Sequence, residues 1–131
     1  MRPLTEDVVI SNARLEHSGQ IYMLFVEALN EKMCKESAFR KNFWQNLYDV
    51  DFKYLVAVKG DEVVGFIGVH LINSLCVEEP IATIEYLMVK KSYNINVIKK
   101  KLMKSIENLV RSQNVWLDSS PLNQELQLAK L

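Results

Sequence analysis

The chain has 131 residues, enough for one domain around one hydrophobic core. Its 16 basic and 16 acidic residues cancel, which argues against a general nucleic-acid or anionic-membrane binder. Cys34 and Cys76 cannot build a disulfide framework, and with only His17 and His70 beside them no metal-ligand spacing exists, so two free, part-buried thiols in a reducing compartment are expected.

The opening "MRPLTEDVVISNARL" has no apolar core of a secretory signal, and no later run approaches the ~20 apolar residues of a membrane span. A cytoplasmic domain without a membrane partner is therefore expected. Residues 8–15, "VVISNARL", carry enough β-branched side chains for a first strand. Ile21, Leu24, Phe25, Ala28 and Leu29 then share one helical face, with Ser18 as the expected N-cap. Phe39, Phe43, Trp44 and Leu47 signal a second helix after Ser37. Tyr22, Phe25, Phe43 and Trp44 are expected in the core.

The strongest local signal is "KYLVAVKGDEVVGFIGVHLI", residues 53–72, two apolar β runs joined at Gly60-Asp61. Gly65 and Gly68 inside the second run suggest a bulge or a close backbone approach. Residues 81–89, "IATIEYLMV", predict a further strand, buried on both faces. Ile98, Leu102, Ile106 and Leu109 recur at helical spacing, so an amphipathic helix is expected over about 96–113. A short strand at 115–119 follows, then a helix capped by Ser120 with Pro121 in its first turn.

The order is β-α-α-β-β-β-α-β-α. The hairpin requires antiparallel pairing, and the late strand–helix–strand unit requires a parallel crossover. The predicted fold class is α/β (α+β): a mixed, mostly antiparallel sheet flanked by helices.

This arrangement resembles the GNAT acetyltransferase superfamily. The resemblance rests on the hairpin, on an I-E-x-L-x-V strand formed here by Ile84, Glu85, Leu87 and Val89, and on "VWLDSSPLN" after the crossover helix. Within the superfamily it is most similar to aminoalkylphosphonate N-acetyltransferases, through "AFRKNFWQNLYD" at 38–49 and "DEVVGFIGVHL" at 61–71. It covers about residues 8–131. It implies transfer of an acetyl group from acetyl-CoA to the primary amine of a small molecule.

The resemblance also implies roles for particular positions. Glu85 takes that of an acidic general base, and on a period-two strand it points away from Ile84 and Tyr86. A backbone N–H near Met88 or Val89 would polarise the thioester carbonyl, with Leu87, Met88 and Val89 lying along the donor. The donor's pyrophosphate would meet Asn94, Ile95, Asn96, Val97, Ile98 and Lys99. In the family these positions read Arg/Gln-x-x-Gly-x-Gly/Ala, so that backbone N–H groups grip phosphate without an intervening Cβ. Here Asn94 replaces Arg/Gln, while Val97 and Lys99 replace the small residues.

Lys99, Lys100 and Lys101 in the first helical turn oppose the dipole by ~0.3–1 kcal/mol each. Three readings of 90–104 stay open: a solvated lysine-rich face, an anion site, or nucleic-acid contact. The family's general-acid tyrosine, read forward from Asn123 through Leu126 and Ala129, falls on Lys130. The usual last strands have no counterpart before Leu131, which makes a homodimer covering that edge a possible completion. Arg40, Lys41 and Lys53 are candidates for an anionic acceptor, and His70 is read as structural. The alternative function is a catalytically degenerate GNAT-fold protein serving as a binding or regulatory subunit.

Overall fold

Alternating β-branched and aromatic residues between Phe52 and Ile72 form the predicted hairpin. Its strands are β2 (Phe52–Lys59) and β3 (Glu62–Ile72), and Gly60 supplies the positive φ of 60° that the tight turn requires. The structure is a computed structural model that describes residues 7–30, 32–113 and 115–118. The remaining elements are β1 (Val9–Asn12), α1 (Ser18–Leu29), α2 (Glu36–Leu47), β4 (Ile81–Val89), α3 (Ile95–Ser112) and β5 (Trp116–Asp118). The predicted helix at Ser120 lies outside the described residues.

The five strands form one sheet in the order β1-β2-β3-β4-β5. The first three pairings are antiparallel, and β4 with β5 is parallel across α3. The predicted class and topology are therefore the observed ones. The first strand is shorter than expected, because Leu15–His17 turn into a 3-10 helix that leads into α1.

One face of the sheet carries α3. Ile98, Leu102, Ile106 and Val110 are buried on its inner stripe against Leu55, Ala57, Val64, Ile67 and Ile84. Each such side chain contributes roughly 1.5–3 kcal/mol by leaving water. Gly65 permits this approach, since a Cβ there would lie 3.0 Å from Ile98 Cγ2 and 3.1 Å from Leu102 Cδ1. The opposite face carries α1 and α2, with Ile21, Leu24, Phe25 and Phe43 packed on Val56, Val63 and Phe66.

Three local expectations are corrected. Ser18 is the first residue of α1 and not its cap; its buried hydroxyl accepts a hydrogen bond from Arg40 at 3.2 Å. Trp44 is 54% exposed, because α2 offers only Phe43 as a buried residue and Trp44 follows it round the helix toward solvent. Lys99, Lys100 and Lys101 belong to the second turn of α3, since that helix starts at Ile95 behind an Asn94 cap. Among the described residues no helix is long and apolar enough to cross a membrane, and no group of His, Cys, Asp or Glu could hold a metal. Cys34 and Cys76 are free thiols; Cys34 is part-buried as expected, whereas Cys76, in the loop between β3 and β4, is exposed.

Candidate active site

The site begins with an irregularity in β4. On β3, consecutive residues Gly68 and Val69 pair with Tyr86 and Ile84, so Glu85 is an extra residue opposite no partner. The bulge breaks the period of two. Ile84 packs into the core under α3, whereas Tyr86 contacts Phe25 of α1 across the other face, edge to face at 5.0 Å. Glu85 stands opposite to Ile84 as predicted but not opposite to Tyr86, because both bulge residues leave the α3 face. The expectation that β4 is buried on both faces holds for Ala82 and Ile84 and fails at Glu85 and Tyr86, which are exposed.

Glu85 is met from β3 by His70, whose Nδ1 lies 3.9 Å from a carboxylate oxygen. His70 is held by a parallel stack on Phe52, with ring centroids 4.3 Å apart. The predicted structural role of this histidine is thus visible, and it also brings an imidazole to the carboxylate.

Beside this pair, the sheet face under α1 and α2 opens into a cleft of about 200 Å³. Phe25, Phe39, Phe43, Tyr54, Phe66 and Tyr86 supply its rings. Gly68 lies beneath two of them: a Cβ there would meet Tyr54 at 3.1 Å and Tyr86 at 3.2 Å. Burial pushes the Tyr54 phenol up to about 12, against a lowering hydrogen bond from Asn46 Nδ2 at 2.9 Å and with help from the Glu85 charge. The Tyr86 phenol is raised by burial first and by Glu85 second. Phe25 and Phe43 were expected in the core and are there, and they are also cleft wall. Tyr54 and Tyr86 were not singled out from sequence. The available signal was Gly68, a residue without a side chain between two aromatic cross-strand neighbours.

Beyond the bulge the β5 side of β4 has no partner among the described residues. Strand β5 pairs only with Ile81, Ala82 and Thr83, so among the described residues nothing pairs with the β5 side of Ile84 to Val89. That stretch includes Leu87, Met88 and Val89, the positions predicted to lie along a donor.

The loop from β4 to α3 is tied down by acidic residues of neighbouring elements. Lys90 forms an ion pair with Glu62 at the hairpin turn, and the Tyr93 hydroxyl donates to the same carboxylate at 2.7 Å. Backbone N–H of Lys91 donates to Glu27 of α1 at 2.8 Å. These two hydrogen bonds, from Lys90 and then Tyr93, hold the Glu62 carboxyl below its ordinary value. At the start of α3, Asn94 Oδ1 accepts from the N–H of Val97 at 3.3 Å. Ile98 is fully buried, whereas Ile95 and Val97 are partly exposed.

The structure therefore brings Glu85, His70, Tyr54 and Tyr86 together, and gathers Asn94 to Lys99 at one helix start. Arg40 is engaged by Glu36 at 2.8 Å. Asn123 and Lys130 lie outside the described residues.

Residues 18–127 match the family model "Acetyltransferase (GNAT) family". A curated relative, the aminoalkylphosphonate N-acetyltransferase of Salmonella typhimurium, is 34% identical over 70 residues, which are 50% of this chain and 45% of that protein. The chain thus matches less than half the length of that relative. Among solved structures the fold is similar to a possible acetyltransferase from Clostridium difficile 630, with TM-score 0.71 and 22% identity over 86% of this chain and 79% of the other. It is also similar to a transcriptional regulator from Bacillus halodurans C-125, with TM-score 0.75 and 19% identity over 94% and 89% of the two chains. An aminoglycoside acetyltransferase from an uncultured soil metagenomic sample matches with TM-score 0.71 and 18% identity over 95% and 86%. With the family model spanning all but the first strand and the last few residues, the chain belongs to the GNAT acetyltransferase family.

Proposed function

We propose that this protein transfers the acetyl group of acetyl-CoA to the primary amine of a small molecule. The observation that carries the reading is the bulge at Glu85. It sets a carboxylate beside the two cleft tyrosines, at the start of the stretch of β4 that has no partner on its β5 side among the described residues.

Acetyl-CoA brings an activated thioester on a long amide-bearing arm. An unpaired strand edge suits such an arm, because its backbone N–H and C=O groups are free to bond it. The edge from Leu87 to Val89 is the candidate. At the phosphate end the fit is partial. The first N–H groups of a helix have no partner within it, so those of Ile95 and Asn96 remain for an anion, and Lys99 adds charge. The N–H of Val97 is already bonded to Asn94, and Val97 carries a side chain where the family has glycine.

In the reaction Glu85 takes a proton as the amine nitrogen bonds to the carbonyl carbon. A backbone N–H at Met88 or Val89 stabilises the oxyanion. The carbon–sulfur bond then breaks, and the thiolate takes a proton from solvent.

The test is a calorimetric titration with acetyl-CoA, followed by assay of thiol release with a panel of amines. Micromolar donor binding and amine-dependent thiol release are expected. No binding at millimolar donor would overturn the proposal.

A further inference from the structure

The acceptor cleft has a composition that selects among amines. Its wall contains six aromatic side chains and one cationic residue, Lys35. The rings form a continuous series. Phe39 stacks on Phe43 with an interplanar angle of 11° and Phe43 on Tyr54 with 14°, at centroid distances of 5.4 and 5.6 Å. Phe52 meets Tyr54 at 6.1 Å and carries His70 on its own face, and His70 faces Glu85. The series thus runs from α2 across the sheet to the candidate base.

An anionic acceptor needs the opposite lining. A phosphonate is bound through several charge-assisted hydrogen bonds, preferably from a forked guanidinium. The nearest arginine of α2, Arg40, is occupied by Glu36 and Ser18. What the cleft does offer is apolar ring surface at the partly exposed Phe39, Tyr54 and Tyr86, and beside the two tyrosines the Glu85 carboxylate whose charge acts on both.

We infer that the acceptor is an arylalkylamine: a primary amine whose flat aromatic body lies against the partly exposed rings of Phe39, Tyr54 and Tyr86 with its amino group toward Glu85. This inference rests on the amine-acetylation reading above. Asn42, at the α2 side of the cleft, offers a hydrogen bond to a ring substituent, while Asn46 holds the Tyr54 hydroxyl. Ala38 lies at the exposed rim of the same wall, so its replacement changes the cleft and spares the core.

The experiment compares phenethylamine, 2-aminoethylphosphonate and n-butylamine with acetyl-CoA, alongside amine titrations of the protein followed through the NMR signals of the aromatic rings. Expected is a kcat/KM for phenethylamine at least about tenfold above both others, equivalent to about 1.4 kcal/mol. The Ala38→Trp variant, which fills the rim, should raise KM for phenethylamine at least about tenfold without weakening donor binding. Preference for the phosphonate, or equal rates for all three, would overturn the arylalkylamine inference and leave acetyl transfer standing. If no amine is acetylated, the acetyl-transfer reading and the acceptor role fall together, and phenethylamine binding that shifts the Tyr54 and Tyr86 rings would leave only an arylalkylamine-binding cleft. Absence of those shifts would overturn that too.

Discussion

Nδ1 of His70 lies 3.9 Å from Oε2 of Glu85, and the same imidazole lies parallel to the ring of its cross-strand partner Phe52, within 2°. The stack fixes the plane of the imidazole, and the bulge on β4 brings the carboxylate to it. Without the bulge a strict alternation would still turn residue 85 away from Ile84, but Tyr86 would return to the α3 face and leave the carboxylate without that ring beside it.

Glu85→Gln tests the base. The substitution keeps shape and removes the proton acceptor, so kcat should fall by at least about a hundredfold. The side chain is 35% exposed, so the melting temperature should stay the same, as should donor binding. Unchanged turnover would remove Glu85 from the reaction.

The two strand glycines should separate stability from activity. Gly65→Ala drives a Cβ into Ile98, Leu102 and the Ala57 methyl at 3.0–3.3 Å, against packed core on every side. Roughly 1–3 kcal/mol of destabilisation is expected, read as a lower denaturation midpoint. Gly68→Ala instead pushes on the rings of Tyr54 and Tyr86 at the cleft wall. It should change KM for the amine by more than it changes stability. Equal stability losses at both sites with no change in KM would show that the ring positions over Gly68 do not matter to the acceptor.

The sheet was legible from sequence because its signals are local. A turn at Gly60-Asp61 fixes the β2–β3 register, and a 3.6-residue stripe through Ile98, Leu102 and Ile106 commits α3 to one face, although its last buried residue is Val110 and not the expected Leu109. Position 85 was legible as a candidate, as was its direction away from Ile84, but not that Tyr86 would join it on the same face. A bulge depends on the pairing of two strands, and no pattern within β4 announces it. The cleft was less legible still. Phe25 and Phe43 come from different helices and Tyr54 and Tyr86 from different strands, and their side chains meet only after the layers pack. Trp44 illustrates the limit of periodicity: it sits next to the buried Phe43 in an apolar pattern and still faces solvent.

The loop that ends β4 should make stability depend on pH at both extremes. Glu62 has a lowered carboxyl pKa in the folded state, through hydrogen bonds from Lys90 and Tyr93. Its contribution is therefore present above the ordinary value of 4.5 and is lost as pH falls through the folded value. Lys90 and Tyr93 are both raised by their bonds to Glu62. Their contributions are complete below their ordinary values of 10.5 and 10.0, and fade as pH rises through those values toward the folded ones. Thermal melts of wild type and Glu62→Gln should differ most near neutral pH. The gap should shrink as pH falls below 4.5 through the lowered folded value and narrow again above about pH 10. A gap constant across that range would mean the cluster contributes nothing beyond packing.

The start of α3 offers the sharpest test of where the donor's phosphates sit. Asn94 already bonds the N–H of Val97, and the Val97 side chain covers the position where the family carries glycine. Val97→Gly removes that cover at a helix cost under ~1 kcal/mol, because the site is partly exposed and only two residues into the helix. If pyrophosphate rests on this helix start, the N–H groups of Ile95 and Asn96 gain a clear approach and acetyl-CoA binding should strengthen about tenfold by calorimetry. Lys99→Glu in the same background should reverse the gain, since it sets a like charge beside the phosphates. The pair of variants also separates backbone from side chain. If Val97→Gly does nothing and Lys99→Glu weakens binding, the lysines hold the anion without the helix N-terminus. If neither changes binding, the phosphates do not lie on α3, and the residues from Asn94 to Lys99 form only the cap and first turns of a helix packed on Gly65.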